Sequence, residues 1–389
     1  MNKYVVASGS SLILAALAGA LLCAAPTALA AADLRLWLGY GAAGFLVSGI
    51  GLEVLRPALA KNLQRFVYLY LGSLGAGLLL LALPSTGWVG IAHRVGWIVW
   101  LVAAGDYAYL AWWRPPVSPR GPEPLQDYLA PAPRSRTTDP ARDAVARALF
   151  AAAPAYLFLV SVAGATGAAV LGSATELLLL LGWLGSAAFG TALYTWPRIM
   201  AESAASPHLA RWGAVLWHLG LILSVVIPHP WLIALSGAGG LLLAADLAPT
   251  LRGIGRMRPY VVGSRRRYPV LGARLGFAAS LVIPVPLAAA MLWTQEGMLW
   301  ARLLALAWAA ASSLTLLHHL RPALGEQILR DRGSVAPLLL ALASLGIPFS
   351  PRAFGVLAAL LGAYLAVAWL PGLEWGAQAD EAKRRRPVG

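Results

Sequence analysis

A single cysteine, Cys23, is present among 389 residues. That excludes an internal disulfide and a thiolate metal cluster. Charge is also scarce: Asp, Glu, Lys and Arg make up 12% of the chain, about half the share of an ordinary soluble domain. Acidic residues are the scarcer kind, 16 against 30 basic ones, for a net charge of +14. An isoelectric point near 10.5 would suit a nucleic-acid binder, but the positive charges lie in loops between apolar runs. Orientation in a bilayer explains them there, and no nucleic-acid partner is expected.

Apolar residues are what the chain has in abundance: 59% hydrophobic, with a mean hydropathy of +0.69. Runs of about 18 residues or more recur, the length a helix needs to cross about 30 Å of hydrocarbon. The pattern predicts an all-α integral membrane protein of about twelve transmembrane helices. They lie near 4–30, 36–56, 66–84, 90–113, 148–171, 175–197, 212–228, 231–249, 275–295, 299–320, 334–349 and 353–371. Residues 115–147, rich in Pro and Arg, read as a cytoplasmic linker, and 373–389 as a basic cytoplasmic tail. With the amino terminus inside, every Lys and Arg except Arg35, Arg94, Arg302 and Arg352 falls on the inner side. The expectation is a multi-pass protein of a bacterial-type inner membrane with both termini cytoplasmic. Residues 1–30 carry two readings: a retained span, or a secretory signal with its small-residue site at Ala28-Leu29-Ala30.

The chain also repeats itself. Arg56-Pro57-Ala58-Leu59, with Arg65 following, recurs as Arg321-Pro322-Ala323-Leu324 with Arg330, each between one apolar segment and the next. Gly41, Gly44 and Gly49 precede Pro57, and Gly182, Gly185 and Gly190 precede Pro197, with the same glycine spacing and a one-residue slip before the proline. Small residues at such intervals let helix backbones approach closely in lipid. Three four-helix pseudo-repeats follow: unit 1 over 1–114, unit 2 over 148–262 including a basic loop, and unit 3 over 263–372.

This layout, with the stretch Leu181-Gly182-Trp183 through Tyr194-Thr195-Trp196-Pro197-Arg198, then Ser206-Pro207 and Arg211 to Leu221, resembles the catalytic subunit I of heme-copper oxidases and nitric oxide reductases, and the related NnrS proteins. The resemblance implies a twelve-helix fold with heme and copper held by histidines of the second, sixth, seventh and tenth helices. Here the second span opens with Leu36-Trp37-Leu38, the sixth with Glu176-Leu177-Leu178, and the outer half of the tenth has no histidine. No set of six ligands carries over, so heme is left without the family's ligand pattern and an oxidase activity is not implied. What the resemblance then implies is a non-catalytic or accessory component of respiration or nitric oxide handling, inside a larger complex. Its partners would be the bilayer and other respiratory subunits.

Two other functions stay open. The first is a proton-coupled transporter, in which Glu53, Asp106 and Asp246 mark an ion path with His218, since buried carboxylates pair, protonate or line such a path. Aligning the decapeptides places Glu53 opposite His318, and Asp106 and Asp246 occupy similar places before cytoplasmic loops, where capping by Arg114 and Arg252 is the plainer reading. The second is a heme- or quinone-binding electron carrier using His218, the one histidine within the seventh span. His318-His319 is a weaker metal candidate, because adjacent helix positions point about 100° apart. His93, His208 and His229 read as interfacial or loop residues. Arg265-Arg266-Arg267 are candidates for anionic lipid or an acidic partner. Tryptophans near span ends, Trp37, Trp88, Trp112, Trp113, Trp196, Trp212, Trp231 and Trp300, read as aromatic belts.

Overall fold

A computed structural model describes residues 44–55, 61–81, 89–112, 139–167, 174–200, 202–227, 229–256 and 278–291, together with 304, 305 and 308. Every regular element among them is helical, and none is a strand. In chain order these are α1 (Gly44–Leu55), α2 (Lys61–Leu81), α3 (Val89–Trp112), α4 (Pro140–Thr166), α5 (Ala174–Met200), α6 (Pro207–Val226), α7 (Pro230–Leu247) and α8 (Ala278–Met291). Five helical stretches are long and apolar enough to cross a membrane: Ile91–Trp112, Pro140–Thr166, Ala174–Met200, Pro207–Val226 and Trp231–Ile254. The first span, the last two spans, the tail, the second decapeptide, Cys23, His318, His319 and Arg265 to Arg267 lie outside the described residues.

Three helix starts share one local device. Asp139-Pro140, Ser206-Pro207 and His229-Pro230 each place a side-chain acceptor at the N-cap and proline in the first turn. The proline has no N–H to satisfy there, and its fixed φ suits the helix. The Asp139 carboxylate accepts from Ala141 N at 2.9 Å, Ser206 Oγ from His208 N at 3.3 Å, and His229 Nδ1 from Trp231 N at 3.4 Å. The Asp139 cap starts α4 at Pro140, eight residues before the apolar run, so the last quarter of the stretch that reads as linker is helix. At its other end α4 closes on Gly167 at φ 67, a left-handed position whose N–H reaches Ala163 O and Gly164 O. Replacing Asp139 by Ala should cost about 1 kcal/mol of stability, read as a lower unfolding temperature in detergent.

Helix α5 is the hub. Its most apolar window is 94% buried, against 33–44% for the other four stretches. A helix apolar on every side has no face for lipid and packs inside the bundle. Neighbours approach because the glycines give them room. A Cβ on Gly190 would lie 2.6 Å from Ala146 O and 2.9 Å from Phe150 N, so α4 and α5 touch backbone to backbone there. The Tyr156 ring fills the space above Gly182, and the Trp217 ring that above Gly185. On the α1 side Trp183 covers Gly44, and Phe150 covers Gly51. Helices α6 and α7 also pack backbone to backbone, with Gly213 and Gly239 facing each other.

Within α5, Leu178–Gly185 is a π-helical stretch, all of it buried. The wider turn pairs Ser186 N with Leu181 O. It also turns Trp183 toward α1 and α3, where its ring lies 6.2 Å from Trp100. Such insertions re-aim side chains and recur at functional sites. Trp112, Trp212 and Trp231 are exposed, as an interfacial belt requires. Trp196 differs: it is 1% exposed, because it sits on α5, which α1, α4, α6 and α7 pack around.

Candidate functional site

Two arrangements of polar side chains interrupt the apolar bundle. The first lies at one end, where α4 starts and α5 and α7 finish. Arg142 Nε donates to Asp246 Oδ2 at 2.9 Å and Arg142 Nη2 to Oδ1 at 3.3 Å, a bidentate pair with side chains 5% and 0% exposed. The same carboxylate accepts from Ser206 N at 2.8 Å, and the Asp246 carbonyl accepts from Ala205 N at 2.8 Å. Next along α4, Asp143 takes two bonds from Arg198, at 2.7 and 3.0 Å. Arg198 also donates to Tyr194 O at 2.6 Å, and its guanidinium lies 3.8 Å from the centre of the Tyr194 ring. Two adjacent residues of opposite charge on α4 thus hold the ends of α7 and α5 and the connection at 202–206.

This clasp assigns Asp246 a partner that sequence spacing did not suggest. Its counter-ion is Arg142, 104 residues away, and not Arg252, which follows it in sequence. Asp106, the acid in a similar place in its own unit, is half-buried on α3, and no hydrogen bond or ion pair holds it among the described residues. The two acids should therefore respond differently: Asp106→Asn should leave the unfolding temperature nearly unchanged, while Asp246→Asn lowers it sharply. Equal effects would remove the distinction. Glu53 lies on α1, its side chain outside the description.

The second arrangement is inside the bundle. The Tyr156 hydroxyl of α4 and His218 Nδ1 of α6 are 2.7 Å apart and hydrogen-bonded. Their rings stack, with centroids 5.6 Å apart at 18°. Tyr156 is 6% exposed, while His218 is half-buried. Gly182 in the π-helical stretch makes the tyrosine's place, since any side chain there would strike the ring. One residue before His218, Trp217 is buried against α5, where its Nε1 donates to Ser186 Oγ at 3.1 Å. His218 is thus fixed in orientation through Nδ1, and among the described residues nothing bonds its Nε2. No group of three or more His, Cys, Asp or Glu side chains spaced to hold a metal ion occurs among the described residues.

The other histidines are placed plainly. His229 caps α7, and His208 is in the first turn of α6. His93 on α3 meets Trp97 edge to face at 6.2 Å. Tyr156, Arg142, Asp143 and Arg198 are the participants that sequence reading passed over. For α4 one signal existed, since Asp139-Pro140 marks a helix start that draws Arg142 and Asp143 into the bundle. For Tyr156 there was none, because 62 residues separate it from its partner.

No family model, no curated protein and no solved structure matches the chain. The functional reading therefore rests on the resemblance in sequence and on the two polar arrangements with the helices that carry them.

Proposed function

We propose that the protein is a multi-pass inner-membrane component of respiration or nitric oxide handling, a relative of heme-copper oxidase subunit I and NnrS proteins that serves as a non-catalytic accessory subunit. In this reading twelve spans form three four-helix units with both termini cytoplasmic. The clasp of Arg142, Asp143, Arg198 and Asp246 faces the cytoplasm, and the basic loop at Arg265 to Arg267 meets anionic lipid or a partner subunit. The family reading rests on the resemblance of Leu181 to Arg198 and Ser206 to Leu221, and what supports the non-catalytic role is the closure of charge at the clasp, where both pairs are bidentate and internal. Ions so engaged fix helices in register, and they take Asp246 out of the proposed ion path, which suits a scaffold. Affinity purification of the tagged protein from native membranes under mild detergent tests this. Partner subunits at fixed stoichiometry are expected; a protein recovered alone would refute the accessory role.

One observation favours a second reading, a small-molecule or electron-carrying role at His218. The Tyr156 bond fixes the imidazole and leaves its other nitrogen open, the arrangement that an axial heme ligand or a ligand-binding histidine needs. Substituting His218 by Ala would remove any visible heme spectrum in that case, and an unchanged spectrum would exclude it as the ligand.

A further inference from the structure

Polar groups are rare in this bundle, and His218 bonds Tyr156 through Nδ1 while its Nε2 is bonded to none of the described residues. His218 is the twelfth residue of the 20-residue α6, so it stands about 17 Å from the start of the helix and near the middle of a bilayer about 30 Å thick. Tyr156 lies well inside α4, a 27-residue helix. Lipid ester carbonyls lie at the edges of the hydrocarbon, beyond reach from that depth. A ring nitrogen left unpaired in hydrocarbon is unfavourable, and water is absent from the bilayer core. The tautomer is free to follow the occupant. If Tyr156 donates to Nδ1, Nε2–H offers a donor; if Nδ1–H donates to the tyrosine oxygen, Nε2 offers an acceptor and the phenol can donate elsewhere.

A fixed site that can give or take one hydrogen bond, backed by a stacked aromatic pair and flanked by apolar surface, selects a particular chemistry. Leu159, three residues on from Tyr156, and Leu219, next to His218, are exposed. Access is therefore from the lipid side, and a ligand must carry an apolar body with a ring carbonyl or ring hydroxyl. We infer that Tyr156 and His218 bind a quinone or quinol head group from within the bilayer, its oxygen on His218 Nε2 and its chain along the outer faces of α4 and α6. The inference deepens the second reading above and leaves the accessory role to stand or fall on its own test. No electron transfer is part of it.

The test uses the full-length protein in phosphatidylcholine nanodiscs, titrated with a benzoquinone carrying a single isoprene unit. Saturable binding is expected. Tyr156→Phe keeps the ring over Gly182 and loses only the hydroxyl, and should weaken binding about tenfold, the worth of one hydrogen bond. His218→Phe should abolish saturable binding, with His218→Gln, which keeps a donor and an acceptor, retaining part of it. Unfolding temperatures of the variants separate loss of binding from loss of fold. Saturable binding of equal strength in the wild type and a folded His218→Phe, or partitioning without saturation in the wild type, would overturn the inference. The latter result would mean that another part of the chain closes Nε2. Recovery or loss of partner subunits has no bearing on either outcome.

Discussion

Replacing Asp246 by Ala is expected to cost about 3–5 kcal/mol, enough to deplete folded protein from the membrane. The carboxylate is fully buried and receives three bonds, two from the Arg142 guanidinium and one from Ser206 N. Removing it strands a buried cation and takes away one of the two bonds by which residue 246 holds the 202–206 connection, leaving the one from Ala205 N to its carbonyl. Loss of one partner is far more harmful than loss of both, because the harm comes from the uncompensated charge. A double change, Arg142→Met with Asp246→Leu, should therefore recover much of the stability that Asp246→Ala loses. Thermal unfolding in one detergent, read for wild type, both single variants and the double variant, checks it. A double variant no better than the worse single one would mean that the pair's geometry, and not its charge balance, holds the helices.

A comparable effect is expected where α4 and α5 meet. Substituting Gly190 by Leu should destabilise by on the order of 3 kcal/mol, since overpacking against rigid surroundings has no low-energy escape. A Cβ alone at that position would come within 2.6 Å of Ala146 O and 2.9 Å of Phe150 N. Both obstacles are backbone, so no side chain can swing away. Because α5 is the covered helix, separating it from α4 would also disturb the clasp and the Tyr156–His218 contact. Gly72, where nothing lies within 4 Å of an added Cβ, is the control: Gly72→Leu should be tolerated. Equal loss at the two positions would show that helix propensity, not contact, governs the response.

Legibility in the sequence followed the range of the interactions. Apolar runs predicted helices well, since a membrane-spanning helix satisfies its own backbone and announces itself by length alone. The predicted 90–113 and 231–249 correspond closely to Val89–Trp112 and Pro230–Leu247. The Gly182, Gly185 and Gly190 spacing was readable as a packing motif, and each of the three receives a neighbour. What failed depended on partners distant in sequence or on caps. Arg142 read as linker charge because the hydropathy run begins later, although the Asp139-Pro140 cap had already started the helix. Trp196 read as interfacial because tryptophan usually is; only the packing of other helices around α5 buries it. The π-helical stretch has no sequence signature beyond its two glycines. The pairing of Tyr156 with His218 depends on how α4 and α6 cross, which no local pattern encodes.

We propose that the protein resembles subunit I of heme-copper oxidases and works without that family's metal centres. A reduced-minus-oxidised visible spectrum of the full-length protein, purified in mild detergent and shown to be folded, tests it most directly. A featureless difference spectrum is the result expected of an accessory subunit. A Soret band with α-band structure would contradict the claim and place a heme in this bundle, with His218 the first residue to replace.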